Sequence, residues 1–461
     1  MTAAKAPVPH KLVIAITLAA TFLFTFSQFL LITAYPTIMT EFNVNATQVQ
    51  WLTTSFLLAT MVFIPMSGYL ISRFTSRQLV LFSLIVLTIG TLIGAAAPTF
   101  SILILSRIVQ AIGAGIMLPL VQTILLNVFP YERRGFAMGL LGAVVNVAPA
   151  SAPSLSGMII DFTGWRPLHF VMLIPAALVL AAAWYGMKNV TEQKPTRLDL
   201  PSVFLSGFGF SLLILALSTI SVTGFTSWMF WGPLAAGAAL TLIYVRRQFT
   251  LETPLLNLRL FRFPVFRLAM LLVFINMMLL LSAESILPMF AQDVLGTSAF
   301  LSGFLLVPGT ILLSIMTIVS GNLYDTYGGR IPAVAGFFFL FLSTALMATV
   351  QIDSSPYLIM LYFCIFMLGC GLTLMTLVTT SVNSLEQEDI PHGAAINNTL
   401  RQFGMAFGVI VLTTVISVTT AQSSAPYEEA VYTGTIYVFW IMAILALTAA
   451  FLSLRIREKR R

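Results

Sequence analysis

The stretch Gly68–Arg77 reads GYLISRFTSR, and Gly321–Arg330 reads GNLYDTYGGR. Glycine, leucine, an aromatic residue and arginine recur in register, at Gly68 and Gly321, Leu70 and Leu323, Phe74 and Tyr327, Arg77 and Arg330. Outward from these copies the chain is a series of fourteen long apolar stretches between Leu12 and Leu454. They run over roughly 12–34, 50–71, 79–97, 101–126, 136–160, 168–187, 201–221, 227–245, 266–291, 300–323, 331–350, 357–381, 394–420 and 434–454. The first copy joins the second stretch to the third, and the second copy joins the tenth to the eleventh. The motif therefore marks an internal repeat of helices.

Each stretch is long enough to cross a bilayer core about 30 Å thick, which takes roughly 20 apolar residues in a helix. Only helices satisfy their own backbone polar groups while crossing lipid one segment at a time. Hydrophobic residues make up 58% of the 461 residues, charged residues 8%, and mean hydropathy is +0.97. A soluble chain carries about 25% charged residues, so a buried soluble core does not account for this composition. The loop between the seventh and eighth stretches, Ser221 to Thr226, is short enough for the pair to read as one broken segment. The first stretch has no small-residue cleavage site after it and reads as a retained helix.

Twenty of the 23 Lys and Arg residues fall in alternate loops and at the two termini. They are Lys5, Lys11, Arg73, Arg77, Arg133, Arg134, Lys188, Lys194, Arg197, Arg246, Arg247, Arg259, Arg262, Arg267, Arg330, Arg455, Arg457, Lys459, Arg460 and Arg461. Arg166 falls in an opposite loop; Arg107 and Arg401 fall within helices. Basic residues in short loops mark the cytoplasmic side. Both termini are then expected in the cytoplasm, which requires an even number of crossings. The net charge of +7 follows from this topology. No basic face on a soluble element points to nucleic acid.

The longest loops are 188–200 and 246–265, so there is no room for a soluble domain. The first is polar and reads as a linker between two halves. In the second, Leu255, Leu256, Leu258, Leu260 and Phe261 stand beside arginines, and two readings hold: a short helix on the inner membrane surface, or an ordinary basic loop. Cys364 and Cys370 lie in one helix, six residues apart and on different faces, where they read as small packing residues. No lysine follows a glycine, so there is no phosphate-binding loop for ATP. His10, His169 and His392 are isolated, and no catalytic constellation or His-Glu-x-x-His run is visible. The driving force is expected to be an ion gradient, with no metal and no cofactor.

Several polar residues stand inside the apolar stretches. Arg107 is well inside the fourth, with Gln110 three residues on. A charge at that depth costs about 2.5–3.5 kcal/mol on insertion scales and faces a cavity or a partner. It reads as a fixed cation that changes partners with proton load or substrate, or as a structural arginine bonded to carbonyls. Glu284 is the one acidic residue deep in a span, with Asn276 two turns before it and Pro288 one turn after. Desolvation disfavours the charged form of a carboxyl, so Glu284 is the candidate for proton coupling, with Arg107 beside it in that role. The competing reading puts Glu284 near the outer mouth.

Thr17, Thr21, Thr25 and Gln28 form a polar stripe along the first helix, facing a cavity or bonding to neighbouring helices. Gln110, Asn146, Asn276 and Arg401 join Thr21, Thr25 and Gln28 as candidate cavity residues, although Arg401 reads equally as a helix anchor. In the fifth helix Gly139, Gly142, Asn146, Pro149, Pro153 and Gly157 recur at spacings of three or four. They read either as a pliable seam that rocks in transport or as static close packing.

On these residues the chain resembles the major facilitator superfamily. The repeated loop looks like that family's G-x-L-x-D-R-x-G-R element, through Gly68, Arg73, Arg77, Gly321, Asp325 and Arg330. Arg107-Ile-Val-Gln110-Ala-Ile-Gly113 is similar to its R-x-x-Q-G-x-G motif. Ala148-Pro149 through Pro153 to Gly157 looks like the antiporter motif of drug exporters. Asn397-Asn398-Thr-Leu-Arg401-Gln402-Phe-Gly404 recurs in the fourteen-helix drug:proton antiporters. Within that group RFTSRQL and LPLVQTILLNVFPYERRG look most like lincomycin-resistance-type multidrug exporters. There are departures. Ser72 stands where the loop aspartate is expected, and Ala148, Ala152 and Ser156 replace antiporter-motif glycines. Ser27-Gln28-Phe29 stands where many relatives carry a carboxylate in the first helix.

The resemblance implies an all-α membrane protein of the major facilitator fold, two parallel six-helix bundles plus two additional central helices, fourteen transmembrane helices in all. The bundles are expected at 1–187 and 266–461, with 188–265 carrying the linker, the two added helices and the basic loop. Substrate and coupling-ion sites in such folds lie at the interface between halves. The implied function is proton-coupled efflux of hydrophobic or amphipathic small molecules across the cell membrane by a monomer, with drugs or dyes, protons and membrane lipid as its partners. An ion-coupled uptake symporter for a metabolite on the same fold is the alternative, because fold does not fix function.

Overall fold

The computed structural model describes residues 10–193, 198–223 and 227–457. Lys5, Lys194, Arg197, Lys459, Arg460, Arg461 and part of the Ser221–Thr226 loop lie outside the described residues. So do the side chains of Pro153 and Asp161.

The long helices are α1 His10–Leu30, α2 Trp51–Arg73, α3 Ser76–Ala95, α4 Phe100–Val128, α5 Arg134–Thr163, α6 Pro167–Gly186 and α7 Leu200–Thr223. They continue with α8 Trp228–Thr250, α9 Pro264–Asp293, α10 Val307–Tyr327, α11 Arg330–Met347, α12 Pro356–Asn383, α13 Ile390–Gln422 and α14 Tyr427–Ser453. Among the described residues, 12 spans are long and apolar enough to cross a membrane, and Leu200–Ala216 is a shorter apolar helix. The chain is a multi-pass, all-helical membrane protein.

Local chemistry sets the helix ends. Thr75 and Gln78 cap the start of α3 reciprocally: the Thr75 hydroxyl accepts from the Gln78 N–H at 3.2 Å, and Gln78 Oε1 accepts from the Thr75 N–H at 3.0 Å. This satisfies two of the donors a helix start leaves open. Ser227 accepts the Met229 N–H at the start of α8. Gly164 and Gly328, with φ of +82° and +79°, follow α5 and α10, where a side chain would be strained. Along α6 and α7, Leu178, Ile174, Phe204 and Phe208 stay exposed. In a membrane span these are lipid-facing positions, not unpaired surface.

The packing is twofold in kind. Each main contact among α1–α6 has a counterpart among α9–α14: α1 on α5 and α9 on α13, α2 on α4 and α10 on α12, α3 on α4 and α11 on α12, α3 on α6 and α11 on α14. The contacts between the two sets also pair up, α5 against α10 and α13 against α2. This is the arrangement of parallel repeats about an axis along the membrane normal. The hairpin α7–α8 lies outside the pattern, with α7 against α2 and α13.

The segment after α8 packs its leucines into the protein. Leu255, Leu256 and Leu260 are buried, and Leu258–Arg262 is a short 3-10 turn. Gln248 Oε1 accepts from the Leu255 and Leu256 N–H groups at 2.7 and 3.2 Å, which ties the segment to α8. Cys370 is buried and Cys364 half-buried, both as free thiols.

Candidate functional site

The two sets of helices converge on the side where the basic loops lie. The amide N–H groups of Gly135 and Phe136 donate to the two Asp325 carboxylate oxygens at 2.7 and 2.8 Å. A carboxylate there meets the positive end of the α5 dipole and its unpaired N–H groups. Arg134 Nη1 donates to Asn383 Oδ1 at 3.1 Å. A Cβ on Gly135 would meet the Gly321 carbonyl oxygen, and one on Gly139 would meet that of Thr317. At Gly142 it would meet the Met375 side chain. These glycines let α5 and α10 touch backbone to backbone, as small residues do in membrane interfaces.

The α5 stripe does not continue as one seam. Asn146 and Pro149 line a cavity, and a Cβ on Gly157 would meet nothing within 4 Å. A single face of one helix therefore serves as seam near the basic side, as cavity wall midway and as open surface beyond. What lies opposite α5 changes along its length, which the spacing of small residues does not encode.

The cavity holds about 180 Å³ between the two sets of helices. One wall presents Thr25 and Gln28 from α1, Gln122 from α4 and Asn146 from α5; the other presents Glu284 from α9, Thr310 from α10, and Asn398, Arg401 and Gln402 from α13. Apolar groups such as Phe29, Val121, Met277 and Met405 fill the rest. Toward the basic side Asn398 Nδ2 donates to Gln122 Oε1 at 3.1 Å and joins the two walls. Glu284 and Arg401 form no hydrogen bond, ion pair or ring contact among the described residues. Asn146 is 8% exposed, and its Nδ2 has no hydrogen-bond partner among them. A polar group buried without a partner is costly, which singles out Asn146, while Glu284 and Arg401 are half-buried and open on the same cavity.

Of the residues singled out in the sequence, Thr25, Gln28, Asn146, Glu284, Arg401 and Pro149 stand on this cavity. Thr21, Gln110, Asn276 and Arg107 do not line it. The Thr21 hydroxyl donates to the Thr17 carbonyl at 2.8 Å and is fully buried inside the bundle. Asn276, also fully buried, donates to Thr373 Oγ1 at 2.6 Å. Arg107 is 2% exposed. It donates to the carbonyls of Ser27 at 2.9 Å, Gln28 at 3.1 Å and Leu52 at 3.4 Å, and to Gln110 Oε1 at 2.7 Å. Its guanidinium lies over the Phe56 ring, and Gln110 passes a further bond to Thr91 Oγ1. Arg107 thus ties α4 to α1 and α2. The repeat motif residues Arg73, Arg77 and Arg330 are exposed at helix ends, and Arg77 Nη2 donates to the Trp184 carbonyl at 2.8 Å. Gly68 packs against His392 and the Leu255 carbonyl.

Gln122, Gln402 and Thr310 were not singled out as cavity residues by the sequence reading. Gln122 had a signal, an amide in an apolar run; Thr310 had none, because hydroxyls in helices bond to their own backbone, as Thr310 does to Leu306. Arg166, the lone basic residue of the opposite loops, pairs with Glu41.

Residues 17–409 match the Major Facilitator Superfamily. The chain is 39% identical over 456 residues to a Bacillus subtilis protein described as an uncharacterized MFS-type transporter, YcnB, covering 99% of this chain and 97% of that one. It is 35% identical to the lincomycin resistance protein LmrB of the same organism, covering 99% of this chain and 98% of the relative. In fold it is similar to the human organic anion transporter MFSD10, with a TM-score of 0.66, 14% identity and 95% and 99% of the two chains covered. With paired helix contacts, a duplicated loop motif and a cavity between the repeats, the chain belongs to the major facilitator superfamily, whose members here are membrane transporters and not enzymes.

Proposed function

We propose that this protein exports hydrophobic or amphipathic small molecules from the cytoplasm in exchange for protons. The observation that carries the reading is the cavity, mostly apolar but lined by a carboxyl and a guanidinium that pair with nothing among the described residues. Ligand sites of this kind are apolar with a few placed polar groups. Relatives named for lincomycin resistance support drugs as the cargo.

In this reading the chain crosses the plasma membrane fourteen times, α5 and α7 joining the 12 spans above. It acts as a monomer with both termini in the cytoplasm. Residues 1–187 and 266–461 form the two bundles that rock against each other. The present conformation is closed toward the cytoplasm by the α5–α10 seam and the Gln122–Asn398 pair. Its 180 Å³ is below the roughly 300–1,000 Å³ of drug-sized sites, so cargo extends toward the open side or binds when the halves part. Glu284 carries the proton: apolar surroundings favour the neutral acid, and water or a cationic cargo favours the anion. Arg107 acts on coupling by holding α1, α2 and α4 together beside the cavity.

The test is pH-gradient-driven dye efflux in everted vesicles. Wild type accumulates dye when the vesicle interior is acidified, and an ionophore abolishes this. Glu284→Gln loses gradient-driven transport, by about a hundredfold or more, and retains binding of uncharged ligands. Normal transport by Glu284→Gln removes Glu284 from the coupling step. Dye movement in the opposite sense assigns the chain to uptake.

A further inference from the structure

The two arginines inside the bundles are treated in opposite ways: Arg107 is buried and Arg401 half-buried. Arg107 is surrounded by carbonyls and an amide oxygen that take up its fork of donors. That is how this chain satisfies a guanidinium whose work is packing. Arg401 has no such nest, and it opens on the cavity with no partner among the described residues. Opposite it, on the other wall, stands Asn146 with an unpartnered Nδ2.

Arg401 and Asn146 stand at the same depth. α5 and α13 are counterparts in the repeat, starting at Arg134 and Ile390 on the same side. Both residues lie about three turns into their helices. Two donors, one of them charged, thus face one another across the deep end of the cavity. Glu284 lies further from the basic side, well along α9 from its Pro264 start. Gly404 packs on Phe274 and Met277, and Gly408 on Met278, which puts Arg401 level with roughly residue 272 of α9. Glu284 is then about a dozen residues further on, roughly 18 Å of helix rise.

We propose that the cavity selects amphiphiles bearing an anionic group as well as a basic amine, the anionic group seated between Arg401 and Asn146 and the amine toward Glu284. This rests on the efflux reading above and narrows its cargo to zwitterions of extended shape. A guanidinium holds a carboxylate by two parallel hydrogen bonds, which an ester cannot accept with the same strength. The apolar walls raise the value of that bond over what it has in water. Arg401 is then the residue that sets specificity, and Glu284 the one that senses the amine.

The experiment measures direct binding of a matched dye pair to the purified full-length protein in detergent. One dye is a fluorescent tertiary amine with a carboxylate on an alkyl arm; the other is its methyl ester. The wild type binds the acid about tenfold or more tightly than the ester. Arg401→Gln brings that ratio close to one, and Arg401→Lys leaves it between the two. A ratio near one in the wild type overturns the proposal without any variant. A ratio unchanged in a folded Arg401→Gln protein overturns it as well. Vesicle transport of the same dyes separates the two ideas. An Arg401-dependent preference without gradient-driven efflux sinks the efflux reading and keeps this assignment. Efflux of both dyes with no acid preference does the reverse.

Discussion

Asp325 and Ser72 hold the same place in the two copies of one motif, and the helix ends they face are opposite in charge. Asp325 bonds to the first N–H groups of α5, an end that carries Arg133 and Arg134. The positive end of the helix dipole and two arginines outweigh the one local acid there, Glu132, and the Asp325 carboxylate adds to the balancing negative charge. Ser72 instead bonds back to the Gly68 carbonyl at 2.9 Å and shares a cleft with Glu388 and Asp389 just before α13. That helix brings its own acids to its start, and a further carboxylate at 72 would meet like charge. The departure from the family's motif in the first copy is therefore matched by acids in the partner helix. A duplicated fold keeps the geometry of a contact while each copy solves its electrostatics separately.

The comparison breaks most visibly where the two sets of helices touch. Gly139→Leu or Gly321→Leu places bulk against a backbone carbonyl across the seam, so efflux falls to background while the protein still reaches the membrane. Transport at wild-type level in either variant means the seam is not closed in the working cycle. Gly157→Leu, on the open stretch of the same face, keeps much of its activity.

Next in size is the contrast between the two arginines. Arg107→Ala removes a fork of donors that joins α4 to α1 and α2, and a buried acceptor left unpaired costs about 1–3 kcal/mol, so it lowers the thermal midpoint strongly in detergent. Arg107→Lys recovers only part, because an ammonium lacks the planar fork. Arg401→Gln shifts the midpoint far less. Equal shifts would erase the distinction between a packing arginine and a binding one.

A smaller effect separates the motif copies. Asp325→Asn removes the charge at the α5 end and slows efflux about tenfold, in keeping with the strength of charge-assisted bonds. Ser72→Asp does not improve transport, and lowers it by about threefold through repulsion from Glu388 and Asp389. An activity gain in Ser72→Asp would show that the acids before α13 do not stand in for the missing carboxylate.

The smallest effect lies in the added hairpin. Asp199 accepts from Arg247 Nε and Nη2, both at 2.8 Å, and the guanidinium holds its carboxyl below the usual carboxylate range. Its contribution is present above the ordinary carboxylate pKa and is lost as pH falls through the lowered one. Because Arg247 is partly exposed, the pair contributes little to stability. Asp199→Asn lowers the thermal midpoint slightly at neutral pH and not at all in strong acid.

The sequence alone determined the helical membrane class, the repeat and the side on which positive charge gathers. These follow from periodic apolar length and loop composition, which act locally and are read in order along the chain. It also singled out Glu284 and Arg401 as charges in apolar surroundings. It did not separate Arg401 from Arg107, since both are arginines inside apolar helices three residues from an amide or in register with small residues. Nor did it divide the α5 stripe or move Thr21, Gln110 and Asn276 off the cavity. Those outcomes depend on which helix lies opposite at each depth, set by the convergence of two six-helix sets. Only the tertiary structure brings Leu52, Ser27 and Gln28 to Arg107 while leaving Arg401 facing open space, because carbonyl partners arrive from other helices.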